Sequence, residues 1–260
     1  EVGDVPLSII SGDWNNDNQT DLAVVNRENS SVSILQNNNG VFFVSQTLSV
    51  DERPIRTASG DWDADSDADL AVLLRDSTQV QIWLNSGTGS FSKQTTSYAV
   101  GSSPIDMITG DWDCDGNPDL AVSNTGDDTI SLIYGKGNGT FAEHVAINSG
   151  RGPGSMASAD FNNDNKMDFV VGHRFLVSTP GVSLLTGDFS LTLSDTSSVT
   201  GYASSVSFAA TTEEDGAPPA EIVIIDADND SKLDLLITLP LAKKLAVLFG
   251  KQYTGKLTCP

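Results

Sequence analysis

The stretch Gly110-Asp111-Trp112-Asp113-Cys114-Asp115-Gly116-Asn117-Pro118-Asp119-Leu120-Ala121-Val122 decides how the chain is read. Counted from Asp111, it sets acidic side chains at positions 1, 3, 5 and 9 and then runs into apolar residues. The same pattern returns as GDWNNDNQTDLAV from Gly12, GDWDADSDADLAV from Gly60, ADFNNDNKMDFVV from Ala159 and IDADNDSKLDLLI from Ile225. The first aspartates are Asp13, Asp61, Asp111, Asp160 and Asp226, spaced by 48, 50, 49 and 66 residues. A proline stands seven residues before each: Pro6, Pro54, Pro104, Pro153 and Pro219. A fixed offset through five copies marks a repeat architecture, and the long last spacing places about 17 extra residues between Phe175 and Pro218.

Each period reads as four short strands. In the first copy these are Leu7 to Gly12, Leu22 to Val25, Ser31 to Leu35 and Phe42 to Val50. Val, Ile, Leu and Phe fill the runs, while turns such as Asn37-Asn38-Asn39-Gly40, Asn85-Ser86-Gly87-Thr88-Gly89 and Gly135-Lys136-Gly137-Asn138-Gly139 separate them. Four strands in about 45 to 50 residues is the signature of a β-propeller blade. The expectation is therefore an all-β single domain over 1–260, a propeller of five four-stranded blades at about 1–50, 51–100, 101–149, 150–200 and 201–260. A linear β-solenoid is the rival architecture, although its coils are usually shorter. One blade cannot bury both its faces, so Trp14, Trp62, Trp112 and Phe161 are expected to pack between neighbours.

Composition narrows the partners. Across 260 residues, 14 Lys+Arg stand against 35 Asp+Glu, for a formal charge of -21. That field repels phosphate backbones and anionic membrane surfaces, so nucleic acid is excluded as a partner. No apolar run reaches the length of a membrane-spanning helix; Leu233 to Gly250 is broken by Asp234, Pro240, Lys243 and Lys244. No signal peptide is visible at Glu1. Few lysines, much Ser, Thr, Asn and Gly, and sequons at Asn18, Asn29, Asn138 and Asn229 give the chain an extracellular character. Cys114 and Cys259 can pair or stay free, and the sequence decides neither.

The acidic loops hold 19 of the 35 acids. Like charges this close cost several kcal/mol per pair, at about 5 Å and an effective dielectric near 20, unless something neutralises them. Oxygen donors without Cys or His select a hard cation, and calcium accepts six to eight oxygens in flexible geometry. Magnesium demands stricter octahedral geometry. The expected side-chain donors are Asp13, Asn15, Asp17 and Asp21; Asp61, Asp63, Asp65 and Asp69; Asp111, Asp113, Asp115 and Asp119; Asp160, Asn162, Asp164 and Asp168; and Asp226, Asp228, Asp230 and Asp234. Position 7 (Gln19, Asp67, Asn117, Lys166, Lys232) would lend its backbone carbonyl, because a lysine side chain cannot coordinate a cation. About five Ca2+ ions, one per loop, are expected; they would bring the charge to about -11 and stabilise the folded chain. An EF-hand is excluded, because position 12 is Val24, Val72, Val122, Val171 or Ile237 instead of Glu, and no helices flank the loops.

The loops resemble the FG-GAP/VCBS-type repeats of integrin α-chain β-propellers and of many secreted proteins. The third loop matches that family's D-x-D-x-D-G-x-x-D calcium motif in full, while the others replace its glycine by Asn18, Ser66, Asn165 or Ser231. Phe91 after Gly87-x-Gly89 and Phe141 after Gly137-x-Gly139 are similar to the family's Phe-Gly region. The resemblance implies a calcium-dependent scaffold, and it departs in number, since integrin-like propellers usually have seven blades. The leading expectation is a secreted, non-catalytic recognition or adhesion module for glycans or extracellular proteins. Trp83, Tyr134, Tyr202 and Tyr253 could stack on sugar rings, or simply pack within strands. The alternatives are a polysaccharide lyase, for which His173-Arg174 would be the candidate pair, and a structural subunit of an extracellular filament.

Overall fold

The computed structural model describes residues 1–149, 152–159, 167–173, 181–185, 206–208, 221–227, 229, 234–239 and 244–248. The first repeat forms β1 (Pro6–Gly12), β2 (Asp21–Asn26), β3 (Ser31–Asn38) and β4 (Val41–Ser49). The second forms β5 (Pro54–Gly60), β6 (Asp69–Leu74), β7 (Gln79–Asn85) and β8 (Phe91–Ala99). The third forms β9 (Pro104–Gly110), β10 (Asp119–Asn124), β11 (Thr129–Ile133) and β12 (Val145–Asn148). In the fourth are β13 (Pro153–Ala159), β14 (Asp168–His173), β15 (Gly181–Leu185) and β16 (Val206–Phe208), and in the last β17 (Glu221–Ile225), β18 (Asp234–Leu239) and β19 (Lys244–Leu248). Each repeat makes its own sheet, with strands in sequence order; the first four sheets have four strands and the last has three among the described residues. β15 and β16 fall within the inserted stretch and pair antiparallel, Val182 opposite Phe208.

The acidic loops join the first two strands of a sheet, so strands and not helices flank them. Their pairing begins at the loop itself: Gly12 faces Asp21, Gly60 faces Asp69, and Ala159 faces Asp168. No described element is a helix, and none is long and apolar enough to cross a membrane.

The chain divides into two compact units: Glu1–Thr109 with Asn117–Val122 and Ser131–Ala146, and Gly110–Gly116 with Ser123–Ile130 and Ile147–Pro260. In the first unit the packing explains why the second strands read as unbroken apolar runs. Successive residues of a strand point to opposite faces. On one face of the second sheet, Leu70, Val72, Leu74 and Trp83 meet Ala23, Val25, Val32 and Ile34 of the first repeat. On the other, Ala71, Leu73, Val80 and Ile82 meet Leu120, Val122 and Ile133 of the third. A strand buried on both faces has no reason to alternate. The outer strand β8 is covered on neither side for most of its length, and there polar residues return, as in Ser92-Lys93-Gln94-Thr95-Thr96.

The recurring tryptophans lie in this packing. Trp14 and Trp62 are fully buried and Trp112 nearly so. Each meets a phenylalanine from the following repeat: Trp14 meets Phe91 at 6.0 Å between ring centroids, Trp62 meets Phe141 at 5.8 Å, and Trp112 stacks on Phe169 at 4.9 Å. The third contact uses β14 because the fourth repeat has no G-x-G-x-F turn. The glycine ahead of each loop makes room for the indole: a Cβ on Gly12, Gly60 or Gly110 would come within 3.0, 3.1 and 2.7 Å of the ring that follows. Phe161 lies outside the described residues.

Replacing Trp62 by Ala should therefore cost about 3–5 kcal/mol, read as a lower urea midpoint. A loss below about 1 kcal/mol, the range of solvent-exposed substitutions, would place the indole outside the core.

Candidate metal site

The loops owe their shape to backbone amides turned inward on the first aspartate. In the first loop the Asp17 amide donates to Asp13 Oδ1 at 3.1 Å and the Asn18 amide to Asp13 Oδ2 at 2.8 Å. The second repeats this with Asp65 and Ser66 on Asp61, at 3.2 and 3.0 Å. The third does so with Asp115 and Gly116 on Asp111, at 3.2 and 3.1 Å. Such tight turning needs left-handed backbone. Position 6 adopts it at Asn18, Ser66 and Gly116, with φ of 63°, 74° and 86°. Position 4 adopts it too, at Asn16, Ala64, Cys114 and Asn229. The glycine of the motif pointed to position 6; nothing in the sequence singled out position 4, where Ala64 bears the steric cost of a Cβ in that region.

This turning gathers positions 1, 3 and 5. Asp61, Asp63 and Asp65 bring one carboxylate oxygen each to within 4.8 Å of one another, as do Asp111, Asp113 and Asp115. In the first loop Asn15 takes the middle place and its amide donates to Asp17 Oδ2 at 3.1 Å. Asp63 Oδ1 is buried with no hydrogen-bond partner. Burial holds the Asp63 carboxyl above its ordinary range, and the neighbouring charges of Asp65 and Asp61 push the same way. Asp113 is raised likewise, by burial and then by Asp115 and Asp111. An orphaned buried oxygen inside a knot of carboxylates is the environment a hard divalent cation relieves, so these donors fit calcium.

Position 9 is placed differently from positions 1, 3 and 5. Asp21, Asp69, Asp119 and Asp234 are essentially fully buried. Asp21 accepts the Trp14 amide on Oδ2 (3.3 Å) and the Asn37 amide on Oδ1 (2.8 Å). Asp69 accepts those of Trp62 (3.0 Å) and Asn85 (2.8 Å). Asp119 accepts the Gly135 amide, and Asp234 the Ala227 amide, both at 2.8 Å. The ninth residue thus clasps its own loop to the end of the third strand, sixteen residues on. That offset is the signal that could have exposed this role in the sequence. A carboxylate oxygen has a second lone pair, so the clasp leaves capacity for a cation. Burial pushes Asp69 up to about 7 against the two amide bonds, which lower it.

At position 7 the described side chains, Gln19, Asp67 and Asn117, reach the hairpin between the third and fourth strands, and Gln19 Nε2 also donates back to Asp17 Oδ2 at 3.2 Å. Gln19 Oε1 accepts the Asn39 amide at 2.6 Å. Asp67 and Asn117 lie against Gly87 and Gly137, where a Cβ would collide with them and φ is +73° and +63°. Asn16 reaches the next repeat, donating to Asp67 Oδ1 at 2.8 Å. Asp160, Asn162, Asp164, Lys166, Asp228, Asp230 and Lys232 lie outside the described residues, as does the Asp168 side chain; Asp226 is exposed just past the end of β17. Cys114 is disulfide-bonded, and Cys259 lies outside the described residues.

Of the two readings left open for Trp83, packing holds. Trp83 is not open to a sugar ring: it is 7% exposed and packs with Trp14 and Phe91 in the core. Tyr134 is half-buried, and Tyr202, Tyr253 and Arg174 lie outside the described residues, as does the His173 side chain.

Repeated sheets with these loops define a β-propeller built of FG-GAP-like blades. The FG-GAP-like repeat model matches residues 13–72, 61–122 and 111–171, more than half of the chain, and the chain belongs to that family. Among solved structures, the fold is shared with BBS1N from a crystal structure in complex with ARL6DN, soaked with mercury, at a TM-score of 0.64 and 14% identity. The match covers 97% of this chain and 63% of that one. The same complex soaked with lead gives 0.62 and 13%, covering 97% and 65%. This chain thus spans under two thirds of the length of these neighbours. No curated protein sequence gives a significant match.

Two measurements probe the loops. Ser66→Gly should stabilise by about 0.5–1 kcal/mol in thermal unfolding, because glycine takes positive φ without strain; destabilisation would show that the Ser66 side chain has a use the loop geometry lacks. For Asp69 the folded value of about 7 lies above that of the unfolded chain. The folded state therefore holds a proton that the unfolded chain has released between about pH 4 and 7, and stability falls as pH rises through that window. In chelator, the melting temperature should drop from pH 5 to pH 8. Excess calcium should flatten or reverse that slope, since it competes with protons for the same carboxylates.

Proposed function

We propose that the chain is a secreted, calcium-loaded, non-catalytic recognition module, and that its ligand is an extracellular protein. The single observation behind the metal part is the buried, partnerless Asp63 Oδ1 among Asp61 and Asp65. The chain's own residues supply the binding: carboxylates at positions 1, 3 and 5 face the ion, and inward amides hold the first aspartate in place. A bound ion supplies charge neutralisation, which would fix the loops as a rigid rim. Weak sites, with dissociation constants on the order of 10⁻⁴ to 10⁻³ M, suit the calcium-rich space outside cells. The acidic charge and the sequons support secretion.

A protein ligand is favoured over a glycan because burial removes Trp83 from the candidate sugar platforms. The neighbour BBS1N was crystallised in complex with ARL6DN, so a propeller of this fold can serve a protein partner. Fold alone does not name that partner. A non-catalytic role is consistent with the use of the paired carboxylates as cation donors, which takes them away from acid–base work.

Calorimetric titration with calcium should give about one ion per loop, and Asp65→Ala with Asp115→Ala, at the position that is Asp in every loop, should remove about two of them. Heats unchanged by those substitutions would sink the metal reading. A calcium-supplemented glycan array should remain silent; saturable binding to one sugar class would replace the protein ligand with a glycan.

A further inference from the structure

Position 4 of the loops, between the second and third donors, turns left-handed in every described copy, with φ of 58° at Asn16, 61° at Ala64, 59° at Cys114 and 60° at Asn229. None of these residues is glycine, so each holds a backbone conformation that L side chains rarely adopt. What fixes the turn differs from loop to loop. The Asn16 side-chain amide donates to Asp67 Oδ1 and to Gly87 O of the next repeat, at 2.8 and 3.3 Å. The Ala64 methyl offers no polar atom for such an anchor. Cys114 is held covalently: it is disulfide-bonded, and the chain has one other cysteine to offer, Cys259.

The second and third loops can be compared at equal donor chemistry. Both carry Asp at positions 1, 3, 5 and 9, and in both the first three bring carboxylate oxygens within 4.8 Å of one another. Without a counter-ion such a knot is pushed apart by its own charges. In the second loop the inward amides of Asp65 and Ser66 resist this. In the third the amides of Asp115 and Gly116 do the same, and a covalent bond also restrains the residue that joins Asp113 to Asp115.

We infer that the Cys114 disulfide is a positioning device for the third metal site: it keeps Asp113 and Asp115 gathered before calcium arrives, so the site binds calcium more tightly with the bond closed than with it reduced. This rests on the calcium reading of the loops proposed above. Donors already held in the bound arrangement lose less freedom on binding. The coupling is reciprocal, so calcium in the third loop hardens the bond against reduction by the same factor. Disulfides persist outside the cell, where calcium is also plentiful, so that compartment keeps the third site in its tighter form.

The test is a calcium titration of the full chain followed by two-dimensional NMR at two amides, Gly116 for the third loop and Ser66 for the second. It is run with the bond intact and after dithiothreitol, which gives the bond two electrons and two protons and closes into its own disulfide. Opening the bond should raise the calcium concentration at the Gly116 midpoint about tenfold, comparable to the penalty of one left-handed residue. The Ser66 midpoint should stay within about twofold, because distant sites act independently. Cys114→Ser should give the same pair of results without reductant. A Gly116 midpoint that moves less than about twofold overturns the inference, and so do equal shifts at both amides, which would mark a general loosening of the fold. Should reduction unfold the chain, the intact chain decides. With Gly116→Ser giving both loops serine at position 6, the third midpoint should still lie about tenfold below the second, and equal midpoints overturn the inference. An intact chain in which neither amide responds to calcium overturns the calcium reading and this inference together, whereas binding that ignores the bond removes this inference alone.

Discussion

Carboxylates repel one another, and among the described residues this chain gathers three of them at a time in the loops of its second and third repeats. The Asp61-Asp63-Asp65 knot carries the physics in its simplest form: oxygens within 4.8 Å, one of them buried with no donor, and burial and neighbouring charge both opposing ionisation of Asp63. A fold that keeps such a knot must relieve it with protons or a cation. Near neutral pH, for carboxylates at the surface of a protein, a hard divalent ion is the relief that costs least. The rest of the blade is arranged around that requirement: a strand enters each knot and a strand leaves it, and the left-handed turns at positions 4 and 6 aim the amides inward.

A second carboxylate ties the knot to the sheet. The buried ninth-position aspartate holds the start of its loop with one oxygen and the end of the third strand with the other. The same strand end carries Asn85, whose side chain grips the Trp14 carbonyl of the repeat before. Loop, hairpin and neighbouring repeat are therefore linked through one buried acid. A change at the loop therefore has a direct hydrogen-bonded route to the contact between the first two repeats.

Much of this was legible in the residues. Fixed spacing from proline to aspartate disclosed the repeats, and the four strands of the first repeat fell within a few residues of their sequence positions because Gly, Asn and Asp clusters punctuate them. The alternation of oxygen-bearing side chains was visible for the same reason a turn is, and in the second and third loops positions 1, 3 and 5 fold back on one centre. The part that stayed hidden depends on tertiary placement. Nothing local distinguishes Asp69, a buried clasp, from Asp65, an exposed member of the knot. Trp83 stayed open between sugar platform and core because an aromatic in a strand can face either way, and only packing with Trp14 and Phe91 decides it. Phe42 could be matched to Phe91 only through the amide that Asn37 gives to Asp21, since its turn lacks the G-x-G spelling.

The most direct test of the central claim is diffraction from crystals grown in saturating calcium, with anomalous data collected where calcium scatters strongly. The account predicts anomalous peaks inside the Asp61-Asp63-Asp65 and Asp111-Asp113-Asp115 knots, with oxygen ligands at about 2.3–2.6 Å. Knots holding only water under those conditions, with their carboxylates splayed apart, would contradict it.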